Sequence, residues 1–334
     1  MTLLANLARS GSTKPTPQGL AVVDPEGPGV PYLHGSLPWT NPPVPILADH
    51  ITTADGSVAH STGGSYVHPS VLDFHGLTLS GLFGGHRFWM VNSEYSSAGK
   101  EDNMILCSPD GYQWNQPAGA KPGVVWTWDD QPPVQEIVNS DPELIYDAAR
   151  RILVMLWRQN TTPGRLWHSE STDGVTWSPP HLVWETDLET FTSPCVVPDG
   201  QGGWIMVTWG RMPRRRTASS LKGPWSEPTT MSGISGWHGG VWRDPASGRL
   251  YGVSGGYSDK LEAYTSDDEG RIWKKRQVLL STRTDMWDSL GTYRPTIQPH
   301  PDGKHMRLWY ATYGFPGDKN RTGYTVIPRA LWGD

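Results

Sequence analysis

The sequence predicts an all-β fold, a five-bladed β-propeller with an extended Pro-rich N-terminal segment, and three observations support this. Gly and Pro are abundant, with 38 and 30 copies in 334 residues, so turns are frequent and long helices are disfavoured. The 18 Trp residues supply large apolar surfaces for packing between sheets. A unit of three or four short strands also recurs with a period of roughly 50 residues, which is typical of propeller blades.

Each unit opens with a short apolar strand that is often headed by a polar residue and Pro. The five openings are His68-Pro69, Asp141-Pro142, Ser193-Pro194, Trp237-His238 and Tyr293-Arg294-Pro295. Five openings predict five blades. The fifth unit lacks the closing Trp turn that the others carry, so we expect residues near the N-terminus to complete its outer strand and close the ring.

Two regions are predicted, an extended Pro/Gly-rich segment over residues 1–45 and the propeller over 46–334. The first contains Thr13-Lys14-Pro15-Thr16-Pro17 and Asn41-Pro42-Pro43. Proline at this density disfavours helix and weakens strand pairing, so the segment should lie extended against another structure. A flexible leader and an arm that attaches the chain to other structural proteins are both consistent with this composition.

Charge and hydrophobicity exclude several classes of function. The chain has 28 Lys and Arg against 33 Asp and Glu, a net charge of −5, and a pI near 6.1, which argues against nucleic acid as a partner. No run approaches the roughly 20 apolar residues of a spanning helix, so no membrane insertion is expected. The N-terminus lacks the basic and apolar regions of a signal peptide. A virion tail or an extracellular location is predicted.

Two cysteines, Cys107 and Cys195, are too few for a disulfide framework. One bridge and two buried thiols both remain open, and the composition favours the thiols.

The units close on a Trp, and these turns have a clear physical origin. An Asp hydrogen-bonds the backbone beyond it, a Gly supplies positive φ, and the Trp packs back between sheets, so the turns are predicted to be structural. Residues 266–273 resemble the Asp-box of sialidase-like propellers. The shorter turns at 108–114 and 171–177 resemble those of five-bladed glycoside hydrolases of the arabinanase, xylosidase and invertase type.

Five blades and the X-Pro openings favour the second resemblance, which covers about residues 60–327. Sialidases usually have six blades and an arginine triad. Tyr293-Arg294-Pro295 is similar to their first-blade arginine motif, yet it lies in the last unit here.

The resemblance to the five-bladed hydrolases implies three carboxylates at the starts of the innermost strands. They serve as base or nucleophile, as orienting group and as general acid. Asp141 matches the orienting position, whereas the other two positions hold His68 and Ser193. A serine cannot act as a general acid near neutral pH, so the mechanism of the family is predicted to be disabled, with Asp141 the one matched catalytic carboxylate.

Acids that replace the two missing carboxylates would lie in the loops at the same face of the propeller. Glu94 is the candidate for a relocated acid, and Glu101 and Asp102 lie in the same first-blade loop. Glu143, two residues after Asp141, is a further candidate because strand alternation does not exclude it from the funnel.

A central funnel lined by donors, acceptors and aromatic faces would suit a sugar without any catalysis. The predicted binding residues are Tyr66, His68, Asp141, Ser193, Trp237, His238, Tyr293 and Arg294. Packing between blades is the alternative role for Trp237 and Tyr293. The sequence contains no spaced Cys/His cluster, so neither a metal site nor a cofactor is predicted. Related enzymes carry a calcium ion in the central channel, and His238 could lie near such an ion.

Three functions follow from these observations. The first is a non-catalytic glycan-binding component of a larger assembly, such as a phage minor tail or receptor-binding protein, because the fold is typical of extracellular proteins and no leader is recognised. The second is an active glycoside hydrolase acting on arabinan-, xylan- or fructan-like or host-envelope polysaccharide. The third is a structural scaffold. The sequence leaves open whether the chain forms a homo-oligomer. The basic loop of Arg211 and residues 214–216 either faces solvent or binds an acidic glycan.

Overall fold

The computed structural model describes residues 44–45, 66–95, 101–120, 138–186, 191–256, 259–282, 290–315 and 319–333. These ranges consist almost entirely of strands and turns, with a short 3-10 helix at Arg329–Trp332. No helix within them has the length and apolar character needed to cross a membrane. The predicted all-β class is confirmed.

The described strands form five antiparallel sheets, one for each predicted blade. Blade 1 contains β2 (Tyr66–Asp73), β3 (Phe88–Tyr95) and β4 (Glu101–Ser108). Blade 2 contains β5 (Asn139–Asp147), β6 (Ile152–Gln159), β7 (Gly164–Ser171) and β8 (His181–Thr186). Blade 3 contains β9 (Thr192–Pro198), β10 (Trp204–Trp209), β11 (Arg214–Ala218) and β12 (Thr229–Thr230). Blade 4 contains β13 (His238–Arg243), β14 (Leu250–Gly255), β15 (Lys260–Ser266) and β16 (Lys274–Ser281). Blade 5 contains β17 (Thr292–Pro299), β18 (His305–Phe315), β19 (Lys319–Pro328) and β1 (Val44–Pro45).

The fifth blade combines strands from both ends of the chain. Its outermost strand is β1, which pairs antiparallel with β19 through Val44 opposite Tyr324 and Pro45 opposite Gly323. This pairing confirms the expectation that N-terminal residues complete the last blade, and it covers an edge of β19 that would otherwise be open. Residues 1–43 lie outside the described ranges, so the attachment role of the N-terminal segment stays a prediction.

The five innermost strands surround one axis. Strands β2, β5, β9, β13 and β17 contact one another in that order, and β17 closes the ring onto β2. In the described part of the chain, five hydrophobic clusters each join two neighbouring blades. Between blades 1 and 2, for example, Phe74, Trp89 and Trp157 are buried together. The starts of the innermost strands therefore converge, as the repeat predicted.

Both cysteines are buried and free, in agreement with the favoured prediction. Burial raises the pKa of the Cys107 thiol to about 11 and raises that of Cys195 further. Both thiols are therefore protonated and unreactive at neutral pH.

The closing turn of blade 2 shows how the Trp turns hold the ring together. Ser171 Oγ accepts the Gly174 amide at 2.8 Å and donates to Asp173 Oδ1 at 3.0 Å, while the Trp177 indole donates to the Gly174 carbonyl. Gly174 has a φ of 78°, and a Cβ at this position would overlap the ring of Trp89 in blade 1. The turn therefore ends its strand and also forms a contact between blades 1 and 2.

Replacing Ser171 by Ala is expected to lower the free energy of unfolding by about 1–2 kcal/mol, because the buried Gly174 amide loses its acceptor. Denaturant unfolding followed by Trp fluorescence measures the loss. Ser219→Ala, at an exposed position of blade 3, is the control and should stay within about 0.5 kcal/mol of the wild-type protein. Equal losses in the two variants would show that the turn contributes nothing specific.

Candidate functional site

The first three blades present their opening residues by the same backbone geometry. His68, Asp141 and Ser193 have φ values of 57°, 52° and 38°, and each precedes a proline. Positive φ is uncommon for residues other than Gly and concentrates at functional sites. The pairing of the inner strand with its neighbour also shifts register in each of these blades. Such a bulge re-aims a side chain, here towards the axis.

Four buried polar side chains meet at the axis, and we call them the central cluster: His68, Asp141, Ser193 and His238. Asp141 Oδ1 lies 3.1 Å from His238 Nδ1 and 3.7 Å from His68 Nε2. The Ser193 hydroxyl donates to Asp141 Oδ1 at 3.1 Å and lies 2.7 Å from His238 Nδ1. The cluster thus joins blades 1, 2, 3 and 4.

The central cluster has the donor set of a divalent cation site. One ligand atom each from His68, Asp141 and His238 lies within 4.8 Å of the others. Imidazole and carboxylate ligands bind zinc at about 2.0–2.2 Å, so two of them on one ion stand about 3–3.5 Å apart, close to the observed separations. Nε2 of His68, the nitrogen that faces Asp141, is buried without a hydrogen-bond partner among the described residues. In His238 the nitrogen against Asp141 is Nδ1, and the buried atom without such a partner is Nε2. Such orphaned atoms are rare and are commonly explained by an ion or water.

The charge states also suit a cation. Burial alone raises the pKa of Asp141, but His68, His238 and Arg158 outweigh it and hold the pKa well below its usual value. Arg158 Nη1 lies 3.2 Å from Asp141 Oδ2. Burial lowers the pKa of His238 to about 4, with the Asp141 carboxylate opposing this shift. At neutral pH the cluster therefore contains a carboxylate and a neutral imidazole, the forms that bind metals.

A carboxylate from blade 1 fixes the orientation of His68. Glu101 Oε2 lies 3.2 Å from His68 Nδ1, and the Ser93 hydroxyl lies 3.3 Å from the same nitrogen. Both contacts are to Nδ1, so Nε2 is the His68 nitrogen on the side of Asp141. Glu94, the predicted relocated acid, lies on β3 with its backbone opposite Tyr66 and Asp102. The structure places the Glu101 carboxylate of this region against the cluster.

Aromatic side chains flank the central cluster on the side of blades 4 and 5. The half-buried Tyr293 ring lies 5.2 Å from the His68 ring and 4.1 Å from the His238 ring, measured between centroids. Trp237 is half-buried, with its ring perpendicular to His238 at 6.3 Å. Tyr66 is 3% exposed and belongs to the hydrophobic cluster between blades 5 and 1. The predicted binding residues thus come together at the axis, except Tyr66, which lies in the core, and Arg294, which forms a separate ion pair.

That ion pair spans the channel and connects four blades. Arg294 Nη2 from β17 lies 2.7 Å from Glu143 Oε2 on β5. Glu143 also accepts the Ser70 hydroxyl of β2 at 2.9 Å and the Val196 amide of β9 at 3.3 Å. Burial raises the pKa of Glu143, while Arg294 and these hydrogen bonds oppose the rise. We call Glu143 and Arg294 the axial ion pair.

Sequence reasoning did not identify Arg158, which orients Asp141. Its position on β6 opposite Ser140 is evident only once the register between β5 and β6 is known.

No family model and no curated protein matches this chain. Among solved structures, it is similar to an N-acetylgalactosamine deacetylase from F. plautii in complex with blood group B trisaccharide. The TM-score is 0.72 and the identity 19%, over 87% of this chain and 96% of that one. The RS223 β-xylosidase has a TM-score of 0.61 and 13% identity, over 86% and 95% of the two chains. A thermostable family-43 glycoside hydrolase has a TM-score of 0.57 and 14% identity, over 82% and 96%. At these identities the likeness shows the fold alone: this chain is a five-bladed β-propeller.

Proposed function

We propose that this protein is a metal-dependent hydrolase that removes an acyl group, such as N-acetyl, from a sugar of a glycan. In this reaction water cleaves the amide C–N bond and yields acetate and the free amine. The observation that carries the proposal is the buried His68, Asp141 and His238 set at the axis, in which the His68 Nε2 that faces Asp141 has no hydrogen-bond partner among the described residues.

Two arguments favour acyl hydrolysis over glycoside hydrolysis. Glycosidases generally need two carboxyl groups flanking the scissile bond. Here two of the three matching positions are His68 and Ser193, and Asp141 is engaged by both imidazoles and by Arg158. Metal-assisted hydrolysis instead needs a few protein ligands and an open position. One of the proteins of similar fold is an N-acetylgalactosamine deacetylase, which supports this class of reaction.

The residues of the site have distinct roles in this proposal. A divalent cation there supplies a Lewis acid for the acyl carbonyl and a water of lowered pKa. Asp141 and one nitrogen from each of His68 and His238 would hold the cation. Arg158 keeps the Asp141 carboxylate in place, and Glu101 lies against Nδ1 of His68, on the side away from Asp141.

Removal of the metal tests the proposal. The protein is stripped with EDTA and reloaded with Zn²⁺, Mn²⁺ or Co²⁺, and acetate release is measured from oligosaccharides that contain N-acetylhexosamines. We expect the stripped protein to be inactive and one equivalent of a divalent ion to restore activity. Bound metal should also raise the melting temperature, because a ligand of the folded state stabilises it. Acetate release that survives chelation, or no stoichiometric metal binding, would refute the proposal.

Glycan binding and reducing-sugar release, measured on the same protein, separate the other functions. Glycan binding without metal binding or acetate release would favour the non-catalytic glycan-binding component, whose place in a phage tail remains a prediction. Release of reducing sugar from arabinan, xylan or fructan would favour the glycosidase. Solved structures of similar fold contain xylotriose and cellotriose, which supports a glycan as the partner in each case.

A further inference from the structure

A groove of about 890 Å³ lies between the outer strands of blades 2 and 3, and it reaches the residue next to His238. Its volume falls in the range of about 300–1,000 Å³ that is typical of ligand sites. The residues that matter for its chemistry are Trp184, Trp225, Trp237, Arg211, Arg214 and Arg216. Because Trp237 immediately precedes His238, the groove leads from the outside of the ring towards the central cluster.

The three indoles come from separate elements, and their positions are fixed. Trp184 of β8 packs against Phe191 with ring centroids 4.5 Å apart. The Trp225 indole donates to the Leu221 carbonyl at 3.3 Å. The Thr192 hydroxyl donates to the Trp237 carbonyl, which anchors Trp237 to blade 3. All three are half-buried. The Trp184 ring is covered by Phe191 and by the Arg216 guanidinium, which leaves Trp225 and Trp237 as the indoles for stacking. Flat, rigid aromatic faces of this kind pack against the C–H faces of sugars.

The charge of the groove is positive. Three arginines and two glutamates line it, and one of these carboxylates, Glu185, already pairs with Arg165 at 3.2 Å. The Arg216 guanidinium is stacked over Trp184 at 4.6 Å. Arg211 is exposed and has no carboxylate partner among the residues that the structure describes. A guanidinium without such a partner can bind a carboxylate through two parallel hydrogen bonds.

We propose that this groove binds a carboxylate-bearing sugar of a glycan, with the acid on Arg211 and the sugar rings on Trp225 and Trp237. The proposal deepens the proposed function, because the acylated sugar at the central cluster would then belong to an acidic glycan. Binding in the groove itself needs no metal, so the two proposals can fail separately.

Isothermal titration in EDTA tests the groove with hexasaccharides of defined charge. The acidic probes are the hyaluronan hexasaccharide and hexagalacturonate, and their carboxyl-reduced forms are the matched neutral probes. We expect at least one acidic probe to bind about tenfold more tightly than its reduced form, and this difference to shrink at high salt. Arg211→Gln should weaken binding of the acidic probe by about fivefold to tenfold and leave that of the reduced probe unchanged.

Arg249→Gln is the control, because Arg249 pairs with Asp267 outside the groove, and it should bind like the wild-type protein. Equal affinity for acidic and reduced probes, an unaffected Arg211→Gln variant, or no binding of either acidic probe would overturn the groove proposal. Charge-dependent binding without any acetate release would leave the groove in place and refute the hydrolase. Metal-dependent acetate release with charge-independent binding would support the hydrolase and overturn the groove proposal.

Discussion

Replacing Asp141 by Asn is expected to abolish metal binding and to lower kcat/KM for acyl hydrolysis by about 10³-fold or more. Asp141 is the anionic member of the central cluster, and both imidazoles lie against its Oδ1. An amide is a poorer ligand than a carboxylate, and its N–H₂ group lies either against the two imidazoles or against the Arg158 guanidinium. Metal content after gel filtration and acetate release under saturating metal measure the two effects.

The control for this variant is Asp267→Asn. Asp267 is a surface carboxylate paired with Arg249, so its replacement should leave metal content and rate unchanged. Near-UV circular dichroism checks that the Asp141 variant is folded. If that variant is unfolded, His68→Gln tests the same site by removing a different ligand. Full metal content and an unchanged rate in folded Asp141→Asn would show that the cluster is not the catalytic centre.

Breaking the axial ion pair should have the largest effect on stability. Glu143→Leu leaves the Arg294 guanidinium, 1% exposed, without its carboxylate, and it removes the acceptor for Ser70 and the Val196 amide. An uncompensated buried charge costs about 3–5 kcal/mol. We therefore expect a loss of this size in the free energy of unfolding, measured by denaturant titration.

A double-mutant cycle identifies the cause of that loss. Arg294→Met alone should also destabilise the protein. The Glu143→Leu/Arg294→Met double variant should recover much of the loss, because an apolar pair replaces both charges. The exposed pair of Arg249 and Asp267 gives the comparison, since breaking it should cost less than about 1 kcal/mol. Strictly additive losses in the double variant would contradict a direct interaction between Glu143 and Arg294.

The architecture could be predicted from the sequence because its determinants are local. The Ser171 to Trp177 turn encodes its own hydrogen bonds, so its appearance in successive units marked the blade ends. The X-Pro openings marked the start of the inner strands, and the structure shows a shared positive φ at His68, Asp141 and Ser193. Even the contribution of the N-terminus to blade 5 followed from a missing closing turn.

The sequence by itself therefore determined the number of blades and most of the side chains that reach the axis. Only the tertiary structure decided how those side chains combine. His68, Asp141 and His238 belong to three different blades and show none of the short spacing that marks a metal site along a chain. The contact of Glu101 with His68, and of Glu143 with Arg294, likewise depends on strand register and on the approach of distant blades. These distances are set by the packing of five sheets around an axis, which no local pattern of residues encodes.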